Sequence, residues 1–242
     1  MSSWFKDWFN SKYYHILYNN RNIDEAELLI SNLSTFLKLS ESSYVLDLAC
    51  GKGRHAIYLN KLGIKVDGAD LSKDSIQYAK QFSGESLNFF EHDMRCQLKS
   101  NKYSHVFNLF TSFGYFENHE ENLKTLNSIY NGLIPEGTLV IDFLNLSKIK
   151  QTLVPQEVKI CGDIEFNIQR RIENGIIYKQ IKFNADGQDF DFEEKVQALD
   201  LKDFQYLLTT TGFIIENVFG DYNLGKFVPE DSNRLIIVSS KK

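Results

Sequence analysis

Between Tyr44 and Asn145 short apolar runs alternate with amphipathic stretches, and this alternation limits the fold more than any other feature of the chain. The runs "SYVLDLAC", "IKVDGAD", "LNFFEHD", "YSHVFNLF" and "GTLVIDFLN" have strand length and are rich in β-branched and aromatic residues. Interleaved with them, "RHAIYLNKLG", "SKDSIQYAKQFS" and "HEENLKTLNSIYNGL" carry apolar residues at helical spacing. Gly63 is placed to close the first of these and Ser72 to cap the second. Strands joined through helices run parallel and cross over right-handedly, so helices are expected on both faces of one sheet.

Past Asn145 the pattern changes. Strand-like runs from Val158 to Leu199 are split by Asn174-Gly175 and Asp186-Gly187, dipeptides that suit the left-handed positions of tight hairpin turns. An antiparallel insertion is expected there. "LKDFQYLLTTTG" then predicts a helix ended by Gly212, and "FIIENVFGDY" and "NRLIIVSSK" an antiparallel pair at the sheet edge. Ahead of the alternation, "DEAELLISNLSTFLKL" predicts a helix from Asp24. Trp4, Phe5, Trp8 and Phe9 recur at helical spacing, as a helix packed on the core or as a lid over a site. The expected organisation is one α/β domain with a seven-stranded, mostly parallel sheet. A helical lid spans 1–40, a ligand-binding core 41–146, an antiparallel β insertion 147–200, and a terminal helix with edge strands 201–242.

The stretch Gly51-Lys52-Gly53-Arg54-His55-Ala56 follows the first strand and opens a helix, and Asp70 ends the second strand. Glycines let the backbone approach a ligand closely, and a carboxylate at that strand end can accept both hydroxyl protons of a ribose. The pattern serves any adenosine cofactor, nicotinamide dinucleotides included. Three features favour S-adenosylmethionine. Asp47 lies within the first strand, where its charge would oppose a pyrophosphate but favour a sulfonium and an ammonium. Asp93, after the third strand, is placed to accept from an adenine amino group. The closing antiparallel pair is the third feature.

As a set, these segments resemble the class I S-adenosylmethionine-dependent methyltransferases, in their small-molecule branch. "VLDLACGKGRH" resembles the first motif, "VDGADLS" the acidic end of strand two and "EHDM" the adenine-contacting loop. "FNLFTSFGYF" resembles the fourth-strand segment, and "IPEGTLVIDFLN" the Pro-x-Gly turn and fifth strand. "YHILYNNRNIDEA", together with the insertion, is similar to the amino-sugar N-methyltransferases and the glycine N-methyltransferases. The resemblance implies a Rossmann-like fold, S-adenosylmethionine as cofactor and a role for each matching position. Asp47 would help place the methionyl ammonium, with Gly51 and Gly53 along the methionyl backbone; Ala49 stands where many members have the first glycine of the loop. Asp70 would hold the ribose diol and Leu71 pack beside the adenosine. Asp93 and the Met94 backbone would serve the adenine. The Leu109 carbonyl would receive the ammonium and Arg21 pair with the methionyl carboxylate. Tyr14 and Tyr18 would line the transfer site, Tyr18 within the cofactor set. Ser104 departs from the family, standing where an aspartate usually precedes the fourth strand.

Methyl transfer from a sulfonium is an in-line displacement with an activated leaving group, so positioning and desolvation dominate. An amine acceptor needs no dedicated base, whereas a hydroxyl more often does. The catalytic candidates are Tyr14, Tyr115 and His119. His119 follows "FGYFEN" at the expected mouth of the sheet, with a surface cap of the next helix as its alternative. His15 and His92 are candidates by chemistry alone. Asp142 and Asn145 end strand five at the same edge, as substrate contacts or as turn caps.

A net charge of -5 and the absence of an Asp/Asn-Pro-Pro-Tyr/Phe loop in "NLFTSFGY" argue against a nucleic-acid partner. Rival readings are an NAD(P)-dependent oxidoreductase, a methyltransferase of nucleic acid or protein, and a non-catalytic adenosyl-binding protein. Cys50, Cys96 and Cys161 lack metal-ligand spacing and read as reduced cysteines of a cytoplasmic protein; no metal is expected. The N-terminal stretch has the character of neither a signal peptide nor a membrane span. The expected partner is a small polar acceptor, amine or hydroxyl, with neither nucleic acid nor membrane. The insertion is expected to cover that acceptor, to join two copies as a homodimer, or both.

Overall fold

The structure, a computed structural model, describes residues 8–18, 23–116 and 118–242. Helix α1 (Lys12–Leu17), capped by the Ser11 hydroxyl, and helix α2 (Ile23–Phe36) precede the alternation. The alternating region runs β1 (Tyr44–Leu48), α3 (Arg54–Lys61), β2 (Lys65–Asp70), α4 (Lys73–Ala79) and β3 (Leu87–Glu91). It continues through β4 (Tyr103–Asn108), α5 (His119–Gly132) and β5 (Leu133–Leu144). Helix α6 (Leu146–Thr152), which the sequence reading did not anticipate, leads into the insertion.

The main sheet has seven strands in the order β10-β11-β5-β4-β1-β2-β3, where β10 is Phe213–Phe219 and β11 is Arg234–Lys241. Strands β1 to β5 run parallel to one another, and β11 lies antiparallel between β5 and β10. The chain moves outward from β1 to β3, then returns to place β4 on the other side of β1. That reversal opens a crevice at the carboxyl ends of β1 and β4. Helices cover the sheet on both sides. Leu126 and Ile129 of α5 pack on one side with Phe204 and Leu207 of α7 (Leu201–Thr210). Leu29 and Leu33 of α2 pack on the other with Leu59 of α3 and Ile76 of α4. Burial from both faces is why β1 reads as a continuous apolar run apart from Asp47.

The insertion is a separate four-stranded antiparallel sheet, β6 (Gln156–Cys161), β7 (Ile164–Glu173), β8 (Ile176–Ala185) and β9 (Gln188–Gln197). Its expected turns form as the dipeptides require, with positive φ at Asn174, Gly175, Asp186 and Gly187. One face buries Phe166, Ile168, Ile181 and Phe183 against Trp8, Tyr13 and Leu17. The opposite face is polar and ion-paired, with Arg171 on Glu193 at 3.1 Å and Lys182 on Asp191 at 3.4 Å. The N-terminal aromatic cluster therefore packs on the inserted sheet rather than on the main core. Trp4 and Phe5 lie outside the described residues.

Candidate active site

A cavity of about 560 Å³ opens at the β1/β4 reversal. Its floor is the loop from Ala49 to Lys52, which passes through left-handed backbone at Ala49 (φ 63°) and Gly51 (φ 56°), as does Gly53 (φ 83°) just beyond it. A left-handed alanine costs roughly 1–2 kcal/mol, which explains a preference for glycine where Ala49 stands. The two glycines differ in what they permit. A Cβ on Gly51 would meet nothing within 4 Å, whereas one on Gly53 would lie 2.6 Å from the Phe89 ring and one on Gly68 2.4 Å from it. Gly53 thus admits the β3 aromatic ring beneath the loop, and it does not line the cavity.

Asp47 also differs from its expected place. It is 1% exposed, and its Oδ2 accepts from the Ala56 amide at 3.1 Å, tying the first turn of α3 to β1 from below. Burial pushes its carboxyl up to about 7, against the Ala56 bond and the Arg54 charge. It supports the loop without lining the cavity.

Asp70 does face the cavity. Its Oδ2 accepts from the Gly51 amide and its Oδ1 from the Ser72 amide, both at 2.7 Å. Burial raises its pKa, and the Ser72, Gly51 and Leu71 amides oppose that rise. A carboxylate has about four lone-pair positions, so capacity remains for a diol. Leu71 and Met94 line the cavity nearby. Asp93 lines it too, but its carboxylate is engaged by Arg95, with Nη2 on Oδ2 at 2.6 Å and Nε on Oδ1 at 3.0 Å. That guanidinium holds the Asp93 carboxyl below the usual range, and its Nη1 continues to Glu121 at 2.6 Å. His92 lines the same end with its Nε2 buried and, among the described residues, without a hydrogen-bond partner. An open glycine cradle, a carboxylate with spare acceptor capacity and an orphaned ring nitrogen beside Asp93 fit an adenosyl cofactor.

Across the crevice, Leu109 lines the cavity and its carbonyl accepts from the Ser112 hydroxyl at 2.7 Å. The next two residues, Phe110 and Thr111, are both left-handed, at φ 61° and 60°. Asp142, fully buried, holds them: its Oδ2 accepts from the Phe110 amide and its carbonyl from the Thr111 amide, both at 2.8 Å. Arg234 completes the clamp, with Nε on Asp142 Oδ1 at 2.7 Å and Nη2 on Thr111 Oγ1 at 3.0 Å. Asn145 is a turn cap, donating to the Pro229 and Ser232 carbonyls at 2.7 Å. Ser104 bonds both backbone groups of Tyr44 and so ties β4 to β1.

The remaining wall is aromatic. Phe9, Tyr14, Tyr18 and Tyr115 line it, with ring centroids 5.0 Å apart for Phe9–Tyr14, 4.8 Å for Tyr14–Tyr18 and 5.5 Å for Phe9–Tyr115. The insertion braces this wall through two residues that the sequence reading missed. Glu194 Oε1 accepts from Tyr18 OH at 2.6 Å and from Trp8 Nε1 at 2.7 Å, and Lys179 contacts both Tyr18 and Glu194. A signal was present: Glu194 shares the inward parity of Phe190 and Phe192, where an acid needs a partner. His119 lies away from the cavity. It is exposed at the start of α5, whose N-cap is Asn118. Arg21 lies outside the described residues. Among the described residues no group of His, Cys, Asp and Glu could hold a metal ion, and no helix is long and apolar enough to cross a membrane.

Comparison with known proteins agrees with this geometry. Residues 45–137 match the family model of the methyltransferase domain. YqeM of Bacillus subtilis, which carries a methyltransferase's name, is 27% identical over 195 residues, covering 76% of this chain and 78% of its own. A glycine/sarcosine N-methyltransferase of Halorhodospira halochloris is 29% identical over 214 residues, 85% of this chain and 76% of its own. An S-adenosylmethionine-dependent methyltransferase from Clostridium acetobutylicum shares the fold at a TM-score of 0.81 and 18% identity, covering 95% of this chain and 98% of its own. With donor cradle, strand order and relatives in agreement, the chain carries a methyltransferase domain on the Rossmann-like fold of class I enzymes and is an S-adenosylmethionine-dependent methyltransferase.

Proposed function

We propose that the acceptor is a small polar metabolite methylated on an amine nitrogen. The observation that carries this reading is the aromatic wall of Phe9, Tyr14, Tyr18 and Tyr115. Electron-rich ring faces favour a cation, and an amine becomes one as it takes the methyl group. A cavity of about 560 Å³ must hold the donor as well, which restricts the acceptor to a small molecule. The glycine/sarcosine N-methyltransferase relative supports the same chemistry by its name.

S-adenosylmethionine, when bound, supplies a sulfonium methyl that leaves a neutral thioether behind. In this reading the chain's own residues position and dry the reaction. Asp70 holds the ribose diol, Leu71 and Met94 pack beside the adenosine, and Asp93, kept ionised by Arg95, accepts from the adenine amino group. The Leu109 carbonyl receives the methionyl ammonium. Tyr14 and Tyr115 orient the nitrogen lone pair toward the methyl carbon, and the α1 side chains exclude water.

The test is transfer from methyl-labelled S-adenosylmethionine to a panel of small primary and secondary amines, each paired with the alcohol of the same skeleton. N-methyl products among the amines are expected. Label appearing only on the alcohols would overturn the assignment of nitrogen.

A further inference from the structure

We infer that Asp142 and Arg234 are positioning residues for the donor, aiming the Leu109 carbonyl without touching either ligand; the inference rests on the reading above that this carbonyl receives the methionyl ammonium. A peptide group is planar and trans, so the carbonyl of one residue and the amide N–H of the next point in opposite directions. Asp142 Oδ2 takes the Phe110 N–H at 2.8 Å. That bond turns the Leu109 carbonyl away from β5 and toward the Ser112 side, where both Leu109 and Ser112 line the cavity and Ser112 Oγ meets the carbonyl at 2.7 Å.

The next two residues would not choose this geometry alone, since Phe110 and Thr111 are both left-handed and neither is glycine. Each is held by its own bond. The Asp142 carbonyl takes the Thr111 amide at 2.8 Å, and Arg234 Nη2 reaches Thr111 Oγ1 at 3.0 Å. Arg234 Nε also pairs with Asp142 Oδ1 at 2.7 Å, and Tyr222 OH donates to Oδ2 at 3.3 Å, so the carboxylate cannot swing. Asp142 is fully buried, which leaves it no direct route to a ligand. Because Arg234 comes from β11, the last strand of the chain sets the direction of a carbonyl just past the end of β4.

Two probes separate aiming from general support. S-adenosylhomocysteine carries the ammonium, and 5′-methylthioadenosine has the same nucleoside without the amino-acid tail. In the double variant Asp142→Leu/Arg234→Met the buried pair is replaced by apolar side chains, an exchange that folds tolerate better than a lone buried charge. Calorimetric titration should show S-adenosylhomocysteine weakened about tenfold or more, with methylthioadenosine within about twofold of the parent. Arg234→Lys keeps the pair with Asp142 but gives up the Thr111 bond. It should show a smaller loss, again confined to S-adenosylhomocysteine, and it decides the matter if the double variant does not fold. Equal weakening of both probes, or of neither, overturns the inference. If the parent protein binds neither probe, the donor reading has failed instead, and the two failures are told apart.

Discussion

Substituting Asp70 by alanine tests the loop and the donor site together. The change removes the acceptor of the Gly51 and Ser72 amides, each bonded at 2.7 Å. Hydrogen bonds to an ionised group contribute about 1.5–3 kcal/mol, but water from the cavity recovers part of this, leaving about 1 kcal/mol apiece. For a chain of this length a loss of about 2 kcal/mol lowers Tm by roughly 4–8 °C. Donor binding loses the diol contact as well, worth about 2 kcal/mol, or roughly thirtyfold in Kd. Asp70→Asn keeps one carbonyl oxygen and should lose about half of each effect. Thermal unfolding gives the first quantity, and titration with S-adenosylhomocysteine the second. Titration with adenosine against adenine isolates the ribose, since only adenosine should weaken. Affinity within twofold of the parent would refute the diol assignment, and an unchanged Tm would refute the loop argument.

Other outcomes follow from the same geometry. Asp47 titrates near 7 in the fold against about 3.8 when unfolded, so its contribution to stability is highest below about pH 3.8 and declines as pH climbs toward 7. The Tm of Asp47→Asn relative to the parent should therefore rise from pH 4 to pH 7 and level off above; a flat difference would show that burial does not perturb this carboxyl. Gly53→Ala meets the Phe89 ring at 2.6 Å and forces a left-handed alanine, a loss of about 2–5 kcal/mol, whereas Gly51→Ala meets nothing and should lose only about 1 kcal/mol. Equal Tm losses for the two would contradict the distinction. Trp8, fully buried and bonded to Glu194, should cost about 3–5 kcal/mol when replaced by alanine. That exceeds what a helix of six residues can retain, so α1 should detach and become cleavable in limited proteolysis; an uncut α1 would count against its docking through Trp8.

Where periodicity alone decides, the sequence reading and the structure coincide. The five alternating strands, the Asn-Gly and Asp-Gly turns and the antiparallel closing pair carry local signals that tertiary packing did not override. Asp70 was legible because a carboxylate ending β2 has one place to go. For Asp47 and Gly53 the motif gives proximity to a ligand but not the side of the loop on which each group lies, and neither lines the cavity. That side is set by Phe89, on a strand 36 residues after Gly53 in the numbering. His119 looked close to the mouth along the chain, yet the start of α5 turns it to solvent. From sequence Asp142 reads as a substrate contact or a turn cap; its pairing with Arg234 spans 92 residues, a separation at which local patterns carry no information. The inward parity of Glu194 marks it as needing a partner, but not that the partners are Trp8 and Tyr18, which lie at the opposite end of the sequence, and Lys179 is hidden in the same way.

The union of α1 with the inserted sheet bears on how such a chain could change its acceptor. Trp8, Tyr13 and Leu17 are the counterpart of Phe166, Ile168, Ile181 and Phe183, and Glu194 bonds both Trp8 and Tyr18. Two segments far apart in the gene thus form one removable cassette seated on a donor-binding chassis. A recombinant that inherits only one half brings an unmatched apolar face and a half-buried acid without its donors. Chimeras that exchange acceptor preference should therefore succeed when both segments travel together, and the two should accumulate changes in concert while the chassis stays still.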